Sequence, residues 1–451
     1  MKNMRFLFYL FLLNLIIPWD AVGKNGISPD KVLDLNSVIE IAFKNNPQIK
    51  AAGFDVKHYE NKEKASFALR LPRIDLEERF SRTTNPMWSF GTRLNQERIE
   101  SADFNPSSLN NPDPINNFLT ILSVKLPLYS GGAIINGIKI AELKKKESLL
   151  YLKSIQNAVI RSVRKAYFGL LLAKKKLKVV DQAINSAKAN LSLVEARYGG
   201  GFSVKSDLLR AKVRLSGLEQ KRFKMQGCIK IARARLNAAM GFSPDNDNEI
   251  VDSIENIYPV GEELNNFIAR AIAQRSELKI MNIGKRIAEK SLDIAKAGHF
   301  PKLNAFANYE MDSESSDFDG SNYTVGASLS FNIFNGNRIN SEIRAAESSV
   351  AKVKEMERKE KLKVEVEVRE AYCRAMSVWQ SISVAKNTVK QAKESLRIIK
   401  NRYKNGLVTM VSLLDGDLAL EEARINYFQS VYDFQDAFTD LKWSDGSINL
   451  K

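Results

Sequence analysis

Residue types that could perform acid–base, nucleophilic or metal chemistry are sparse in this chain of 451 residues. Its two histidines, His58 and His299, stand 241 residues apart. Neither has a nucleophile motif or a metal-ligand spacing around it. The run Gly199-Gly200-Gly201 is not followed by the Gly-Lys-Ser/Thr that a phosphate-binding loop requires. The sequence therefore predicts no catalytic, cofactor or metal site.

The two cysteines, Cys228 and Cys373, form no CxxC motif and fall at non-equivalent places in the two halves of the chain. Free cysteine often behaves as a small hydrophobic residue. We therefore predict two small buried apolar side chains, in preference to a disulfide or a ligand role.

The charge balance argues against nucleic acid as a partner. The formal net charge is +16, and the content of 44% hydrophobic and 27% charged residues is normal for a folded protein. The basic residues are spread through the predicted helices, whereas a nucleic-acid binder concentrates them on one face with interleaved aromatics. The runs Lys144-Lys145-Lys146 and Lys174-Lys175-Lys176 are interpreted as solvated helix faces.

The elements that would have to position any functional residue are two long helices. Between Val163 and Tyr198 apolar residues recur at alternating steps of three and four, which is the seam of a left-handed coiled coil. An offset of 205 residues gives the same pattern from Val368 to Tyr403. Each copy ends in Tyr followed by a glycine turn, so the pattern predicts two structural repeats of one architecture.

The N-terminus indicates export. Lys2 and Arg5 precede an apolar run from Phe6 to Ile17, which is followed by Pro18, Trp19 and the small-residue pattern Ala21-Val22-Gly23. This pattern predicts a signal peptide over residues 1–23, cleaved after Gly23. A membrane anchor is the alternative, but a run of about twelve apolar residues is too short to span a bilayer as a helix.

Each half reads as helix, strand, strand, long helix, turn and helix. In the first repeat, 24–241, we predict a helix over 34–69 that Pro47 interrupts early, and strands at about 73–82 and 118–129 joined by a long loop over 85–117. A long helix over 136–198, a tip at 199–206 and a helix over 203–240 follow. In the second repeat, 242–451, we predict a helix over 262–297, strands at about 301–311 and 322–334, a long helix over 337–403, a tip at 404–412 and a helix ending near 443.

The strand from Tyr323 to Ile333 alternates apolar with small polar residues over 11 positions, the length a tilted strand needs to cross a bilayer. This lipid-out, water-in pattern favours an outer-membrane barrel, with a half-buried strand of a soluble sandwich as the alternative. Four strands cannot close a membrane barrel, and an open sheet edge is excluded from lipid. The chain must therefore oligomerise, because two copies supply 8 strands and three supply 12.

The order of elements, their repetition and several paired segments resemble the TolC-type outer-membrane efflux channels. The segments are Ala196-Arg197-Tyr198-Gly199-Gly200-Gly201 with Asn401-Arg402-Tyr403-Lys404-Asn405-Gly406, and Leu126-Pro127-Leu128-Tyr129-Ser130-Gly131-Gly132 with Phe331-Asn332-Ile333-Phe334-Asn335-Gly336. The resemblance implies an α+β membrane protein, built as a homotrimer with a 12-stranded β-barrel continuous with a long periplasmic α-helical barrel. It also implies a periplasmic adaptor (membrane fusion) protein and an inner-membrane pump of RND or ABC type as partners.

The same resemblance assigns a periplasmic gate to the helix tips. Asp415 matches an acidic position whose three copies would form a cation-favouring ring. Asp207 matches an acidic position that joins hairpins in the closed state, and Tyr403 aligns with its tyrosine partner. Two departures from some members of the family, Ser412 for a second acidic residue and Val408 for a latching arginine, imply a weaker or different closing network.

These tip residues have simpler alternatives. Asp207 could be a favourable charge in the first turn of a helix, and Asp417 a solvated face residue. Gly201 and Gly406 most simply supply left-handed turn geometry. At the tips they would also lie near any contact with an adaptor.

The predicted function is a passive exit duct in the outer membrane of a Gram-negative bacterium. It would serve a tripartite efflux pump or a type I secretion system and carry small molecules or proteins from an inner-membrane pump to the exterior. The alternative is a periplasmic coiled-coil scaffold without a pore. An enzyme is the third candidate.

Overall fold

The computed structural model describes residues 32–251, 259–315 and 320–448, so the predicted signal peptide lies outside the described residues. The first half contains α1 (Leu35–Asn45), α2 (Pro47–Ala68), β1 (Arg73–Thr83), α3 (Pro86–Asn95), a 3-10 helix (Ser101–Phe104), α4 (Pro106–Asn110), β2 (Ile115–Tyr129), α5 (Ala133–Gly199) and α6 (Lys205–Met240). The second half contains α7 (Leu264–Gln274), α8 (Ser276–Ala297), β3 (Lys302–Ser313), β4 (Gly320–Ser330), α9 (Arg338–Lys404) and α10 (Met410–Ser444).

The two long helices, α5 and α9, each have 67 residues, a length of about 100 Å at 1.5 Å per residue. The predicted seam is their buried side, since Val163, Leu170, Val180, Val368 and Ala375 are all fully buried. Helix α6 folds back along α5 and α10 along α9, while α5 and α10 pack on each other. The end of the protomer that carries the two hairpin turns is therefore a row of four helices in the order α6, α5, α10, α9.

Two of the predicted helices are each broken in two, and for the first of them the interruption at Pro47 is confirmed. The helix expected over 34–69 breaks at Asn46, whose side chain accepts a hydrogen bond from the Gln48 amide at 2.9 Å and caps α2, which begins at Pro47. The helix expected over 262–297 breaks at Arg275, which has an extended ψ of 129° and a buried side chain. That guanidinium pairs with Glu277 and Glu367, which fixes the break.

The segment predicted as a long loop over 85–117 is not a loop. It forms α3, the 3-10 helix and α4, and β2 starts at Ile115. Asn85 and Asn105 each cap the helix that a proline then begins. Asn-Pro is therefore a helix-start signal here, although the composition suggested a loop.

The four strands form one antiparallel sheet in the order β1-β2-β3-β4, so β1 and β4 are its free edges. Strand β4 ends at Ser330 instead of the predicted 334. Its last pair joins Ser330 to Lys302, the first residue of β3, so Phe331 and the residues after it have no strand to pair with.

The prediction for the cysteines is wrong. Cys228 on α6 and Cys373 on α9 are both exposed free thiols. Both helices lie at the edges of the four-helix row. Cys228 and Cys373 lie on the sides of these helices that no neighbouring helix of the protomer covers.

Candidate functional site

The two helical hairpins α5–α6 and α9–α10 meet at their tips in one apolar cluster. Its fully buried members come from all four helices: Val194, Ala211, Leu396, Tyr403, Met410 and Leu413. Val408, at one of the departures from the family pattern, packs against this cluster as a partly buried side chain. A hydrophobic contact therefore occupies this position.

Both hairpin turns use glycine in the left-handed region, with φ of 80° at Gly201 and 74° at Gly406. The amide of the following residue donates to a carbonyl one turn back, from Phe202 to Arg197 at 2.8 Å and from Leu407 to Arg402 at 2.9 Å. This closes the end of each long helix. The left-handed turn geometry that the glycine pattern predicts is present in both.

The two tyrosines that end the seams are not equivalent. Tyr403 is 4% exposed, whereas Tyr198, its counterpart at the offset of 205, is 42% exposed. The Arg197 guanidinium lies 5.3 Å from the centre of the Tyr403 ring. Its Nη1 donates to the backbone carbonyls of Tyr403 at 2.9 Å and Lys404 at 3.2 Å. Arg197 therefore joins the first hairpin to the end of α9.

The structure brings Tyr403 close to Asp207 through Ser203. The Ser203 hydroxyl donates to Asp207 Oδ2 at 3.3 Å. Burial raises the pKa of the Tyr403 phenol, and the negative charge of Asp207 raises it further. The positive charge of Arg197 and a hydrogen bond with Ser203 lower the same pKa. The net result is a pKa above the usual value of 10. The phenol is thus held neutral beside a half-buried carboxylate.

Asp415 lies apart from this group. It is exposed on α10, two residues before Asp417, which is half-buried. Asp417 accepts from Ser186 at 2.9 Å and from Asn190, and lies 3.5 Å from Lys400 Nζ. Asp417 is therefore not a solvated face residue, because it joins α10 to both long helices.

A buried carboxylate links α10 to α6. The Glu421 side chain is only 1% exposed and accepts from Arg214 and Lys221, each at 2.5 Å. Because an unpaired buried charge is costly, these two cations fix how α6 lies against α10. Two polar contacts therefore lie near the tip, and we call them the Asp417 clamp and the Glu421 clamp. The Asp417 clamp links α10 to the long helices α5 and α9. The Glu421 clamp links α10 to the return helix α6.

The sequence did not single out Arg197, Ser203, Lys400 or Glu421 as tip-region residues, and it assigned Asp417 to a solvated face. Arg197 belongs to the paired motif that includes Tyr198, but that motif predicts only the glycine turn. Glu421 carried a usable signal, because it stands eight residues, about two helical turns, after Leu413 and so places a charge near the apolar side of α10. A charge at a predicted buried position indicates a partner on a neighbouring helix.

A second candidate surface is the sheet. The strand register brings the predicted apolar residues onto one face, for example Leu76 opposite Leu122, and Tyr309 opposite both Leu122 and Tyr323. This face is uncovered, and its most exposed members are Ile74, Leu76, Phe80, Tyr323, Val325 and Leu329. The opposite face carries mainly charged, hydroxyl and amide side chains. Glu78 interrupts the apolar face, and its carboxylate accepts from Thr120.

No helix among the described residues is both long and apolar enough to cross a membrane. In the same part of the chain no three His, Cys, Asp or Glu side chains are grouped to hold a metal ion.

Comparisons with known proteins agree on one family. The model of the outer membrane efflux protein family matches residues 38–242 and 267–447. The proteases secretion protein PrtF of Dickeya chrysanthemi is 18% identical over 91% of this chain and 87% of its own length. The pyoverdine export outer membrane protein OpmQ of Pseudomonas putida is 20% identical over 87% of this chain and 81% of its own length.

Solved structures show the same fold. A CusC crystal structure superposes with a TM-score of 0.77 at 16% identity, covering 94% of this chain and 95% of CusC. VceC from Vibrio cholerae gives a TM-score of 0.76 at 16% identity, covering 91% of this chain and 96% of VceC. The interpretation of the sequence as an outer-membrane exit duct is thereby confirmed, and the chain belongs to the outer membrane efflux protein family.

Proposed function

We propose that three copies of this chain form a passive duct in which a 12-stranded β-barrel in the outer membrane continues into a periplasmic α-helical barrel. The duct exports small molecules or proteins delivered by an inner-membrane RND or ABC pump through a periplasmic adaptor. The observation that carries the proposal is the four-stranded sheet, with two free edges and one uncovered apolar face, at the end of helices about 100 Å long.

The free edges support closure by further copies. Strands β1 and β4 are unpaired on their outer sides in the protomer. An open edge in lipid would leave backbone amides and carbonyls without partners, so a lipid-facing sheet has to close. Pairing β1 of one copy with β4 of the next would give twelve strands in a trimer and a barrel wide enough for a channel.

The apolar face supports a bilayer as its surroundings. Aromatic side chains lie near both ends of the apolar strands, Tyr309 and Tyr323 at one end and Phe331 and Phe334 at the other. Phe331 follows Tyr323 by eight residues, which corresponds to roughly 26 Å of extended chain and to about 20 Å in height at a strand tilt of about 40°. Outer-membrane barrels carry an apolar band about 25 Å tall between two aromatic girdles.

The tips support a mouth that can close. The Arg197–Tyr403 contact and the Asp417 and Glu421 clamps hold the two hairpins of one copy together. In a trimer, Asp207 and Tyr403 would contribute to the closed state, and three exposed Asp415 carboxylates would favour cations at the mouth. Gly201 and Gly406 form the turns next to any adaptor.

The duplicated order of elements supports descent of both halves from one repeat. Both long helices have 67 residues, and each is followed by a glycine turn and a return helix of similar length. Residues 1–23 act as the export signal, and the mature chain is delivered to the outer membrane.

Extraction of the protein from isolated outer membranes tests this proposal. The duct requires release by detergent and not by high salt, followed by a native mass of three chains. Release by salt alone as a monomer or a soluble rod would favour the periplasmic scaffold.

A further inference from the structure

The two repeats differ at the place where each return helix ends. The end of α6 lies against the break between α1 and α2, where a Cβ added to Gly241 would lie 2.6 Å from the Asn45 carbonyl oxygen. The end of α10 lies against the break between α7 and α8, where a Cβ added to Gly446 would lie 3.3 Å from the Arg275 amide nitrogen. We call these places the first junction and the second junction. The two glycines are equivalent at the offset of 205 residues, so the junctions are two copies of one packing arrangement.

The second junction is filled by a buried cation. The Arg275 side chain is only 3% exposed, and its guanidinium lies 4.7 Å from the centre of the Trp443 ring. The guanidinium pairs with Glu277 at 3.2 Å and also with Glu367. The second junction therefore holds a planar cation against an indole and two carboxylates.

The first junction lacks all four of these side chains. Their equivalents, at an offset of 229 residues for the short helices and 205 for the long and return helices, are Asn46, Gln48, Ser162 and Ala238. Three of the four are smaller than their counterparts, and none is charged. They line a cavity of about 750 Å³, and small-molecule sites in proteins are typically about 300–1,000 Å³. The first junction is therefore an open version of a place that the second repeat fills with its own side chains.

The charge at the cavity is reversed between the repeats. Arg235 lines the cavity, whereas its equivalent at the second junction is Asp440. Asp440 pairs with Arg374 at 3.3 Å, and the equivalent of Arg374 is Gly169, which also lines the cavity. Arg235 therefore has no charged side chain at the equivalent place, and it forms no ion pair within the described part of the chain. An anion that enters the cavity would meet an exposed guanidinium.

A second cation and a phenol belong to the same lining. The Lys165 ammonium lies 3.2 Å from Asp436, a carboxylate that it shares with Arg374. The Lys165 side chain is still 55% exposed, so its ammonium can bind a further anion. Burial and the nearby carboxylates of Asp436 and Asp433 raise the pKa of the half-buried Tyr432 phenol. At neutral pH this phenol is therefore protonated and can donate a hydrogen bond.

The rest of the lining is mostly small and apolar. It includes Pro47, Val159, Ala166, Gly169, Ala232 and Ala239. The Tyr432 ring closes one side, since a Cβ added to Gly169 would lie 4.0 Å from its Cε2 atom. Small side chains beside an aromatic ring leave room for a flat apolar group, and aromatic rings pack favourably on one another.

The cavity opens on a face of the four-helix row. Apart from residues 46–48, its lining comes from α5, α6 and α10, which are consecutive in the row. In the proposed duct, neighbouring copies meet at the two edges of the row, α6 and α9. The tips are also remote, because Gly169 lies 30 residues before Gly199 on α5, or about 45 Å along the helix. The cavity is therefore separate from the gate and from the contact between copies.

We propose that the first junction binds a small planar aromatic carboxylate. Arg235 and Lys165 hold the carboxylate, and the ring lies against Tyr432 and the small apolar residues of the lining. The bound ring takes the place that the Trp443 indole has in the second junction, and the charge of the ligand is opposite to that of the Arg275 cation. This site is additional to the proposed duct and depends neither on the trimer nor on the pore.

The test measures binding of naphthoate to the full-length protein in detergent by isothermal titration calorimetry, with empty micelles subtracted. The uncharged analogue naphthamide is the matched ligand. Arg235→Asp and Ala238→Trp each introduce the residue of the second junction, the first to reverse the charge and the second to fill the cavity. The matched control is Arg210→Asp, which makes the same change in net charge at another exposed position of α6.

The expected result is saturable binding of naphthoate at one site per chain, with about tenfold weaker binding of naphthamide. Arg235→Asp should weaken naphthoate binding about tenfold or more, because it removes a charge-assisted hydrogen bond and adds a like charge. Ala238→Trp should abolish binding, and Arg210→Asp should change it less than about twofold. Naphthoate should also raise the melting temperature of the wild type and not that of Ala238→Trp.

Equal affinity for naphthoate and naphthamide would overturn the proposal, because the ligand would then only be entering an apolar surface. Equal weakening by Arg235→Asp and Arg210→Asp would also overturn it, because it would mean general attraction to a basic protein. If Ala238→Trp does not fold, the comparison of the two arginine variants still decides. Absence of saturable binding to a folded trimer that conducts ions would refute the site and leave the proposed duct intact.

Discussion

Arg197, near the end of α5, donates a hydrogen bond from Nη1 to the backbone carbonyl oxygen of Tyr403, near the end of α9, at 2.9 Å. The donor belongs to the first hairpin and the acceptor to the second. The contact therefore couples two hairpins that are otherwise joined at the tip mainly by apolar packing. A guanidinium is suited to this, since it can bond the Lys404 carbonyl as well and stack on the phenol ring.

Replacing Arg197 by Gln should loosen the tip. A hydrogen bond to a charged donor contributes about 1.5–3 kcal/mol, and partial exposure places this one at the lower end. A loss of about 1.4 kcal/mol from the closed state lowers the ratio of closed to open channels tenfold. Single-channel recording in a planar bilayer should show about a tenfold rise in open probability. Arg402→Gln is the matched control, because Arg402 is the exposed residue equivalent to Arg197, and equal effects of the two changes would contradict the coupling.

Tyr403 should remain neutral to unusually high pH. Its folded-state pKa is raised above 10 by burial and by the charge of Asp207, against the opposing effects of Arg197 and Ser203. The contribution of the neutral phenol to stability is therefore complete below pH 10 and is lost as the pH rises through the folded-state pKa. Subtracting the ultraviolet titration of Tyr403→Phe from that of the wild type should leave one phenol that ionises above pH 10. A component at or below 10 would show that the ring is not buried as described.

Glu421 should stabilise the packing of α6 on α10. In Glu421→Gln the two cations Arg214 and Lys221 lose a carboxylate that is only 1% exposed. A cost of about 1–3 kcal/mol is expected, because both cations can still reach solvent. Hydrogen exchange should speed up in the parts of α6 and α10 that flank these residues. The neighbouring change Glu422→Gln, at an exposed position, should leave hydrogen exchange unaltered. Equal protection of the amides in the two variants would contradict a stabilising contact of Glu421 with Arg214 and Lys221.

The two faces of β4 should respond differently to a new charge. Val325 lies on the apolar face and Thr324 on the polar one. An arginine at the bilayer midplane of a barrel costs about 2–4 kcal/mol on the lipid face, whereas substitutions facing the lumen are tolerated. Val325→Arg should therefore reduce the amount of trimer assembled in outer membranes, and Thr324→Arg should assemble normally. The opposite order would mean that the polar face meets the lipid.

The parts of the fold that follow from local periodicity could be predicted from the sequence. The seam from Val163 to Tyr198 and the alternation from Tyr323 onward depend only on which residues repeat every 3.5 or 2 positions. Their buried or shared faces are found as expected. The bounds of β4 could not be read in the same way, because the end of a strand depends on where its neighbour begins.

The site was less predictable, because its residues are joined across large sequence separations. Tyr198 and Tyr403 are the same residue in the same motif, yet only Tyr403 is buried beside Arg197. The partners of Glu421 lie about 200 residues away on α6. Cys228 and Cys373 were predicted as buried because the sequence does not reveal which helices form the edges of the row. Packing between hairpins decides each of these cases.

The central claim is that this chain forms a pore closed at its helical tips. The most direct measurement is the conductance of the purified trimer in a planar bilayer with the loosened Arg197→Gln tip, with and without Asp415→Ala. We predict discrete, cation-preferring openings in the Arg197→Gln protein and a weaker cation preference when Asp415 is also removed. An inserted Arg197→Gln trimer that passes no current above that of the lipid alone would contradict the account.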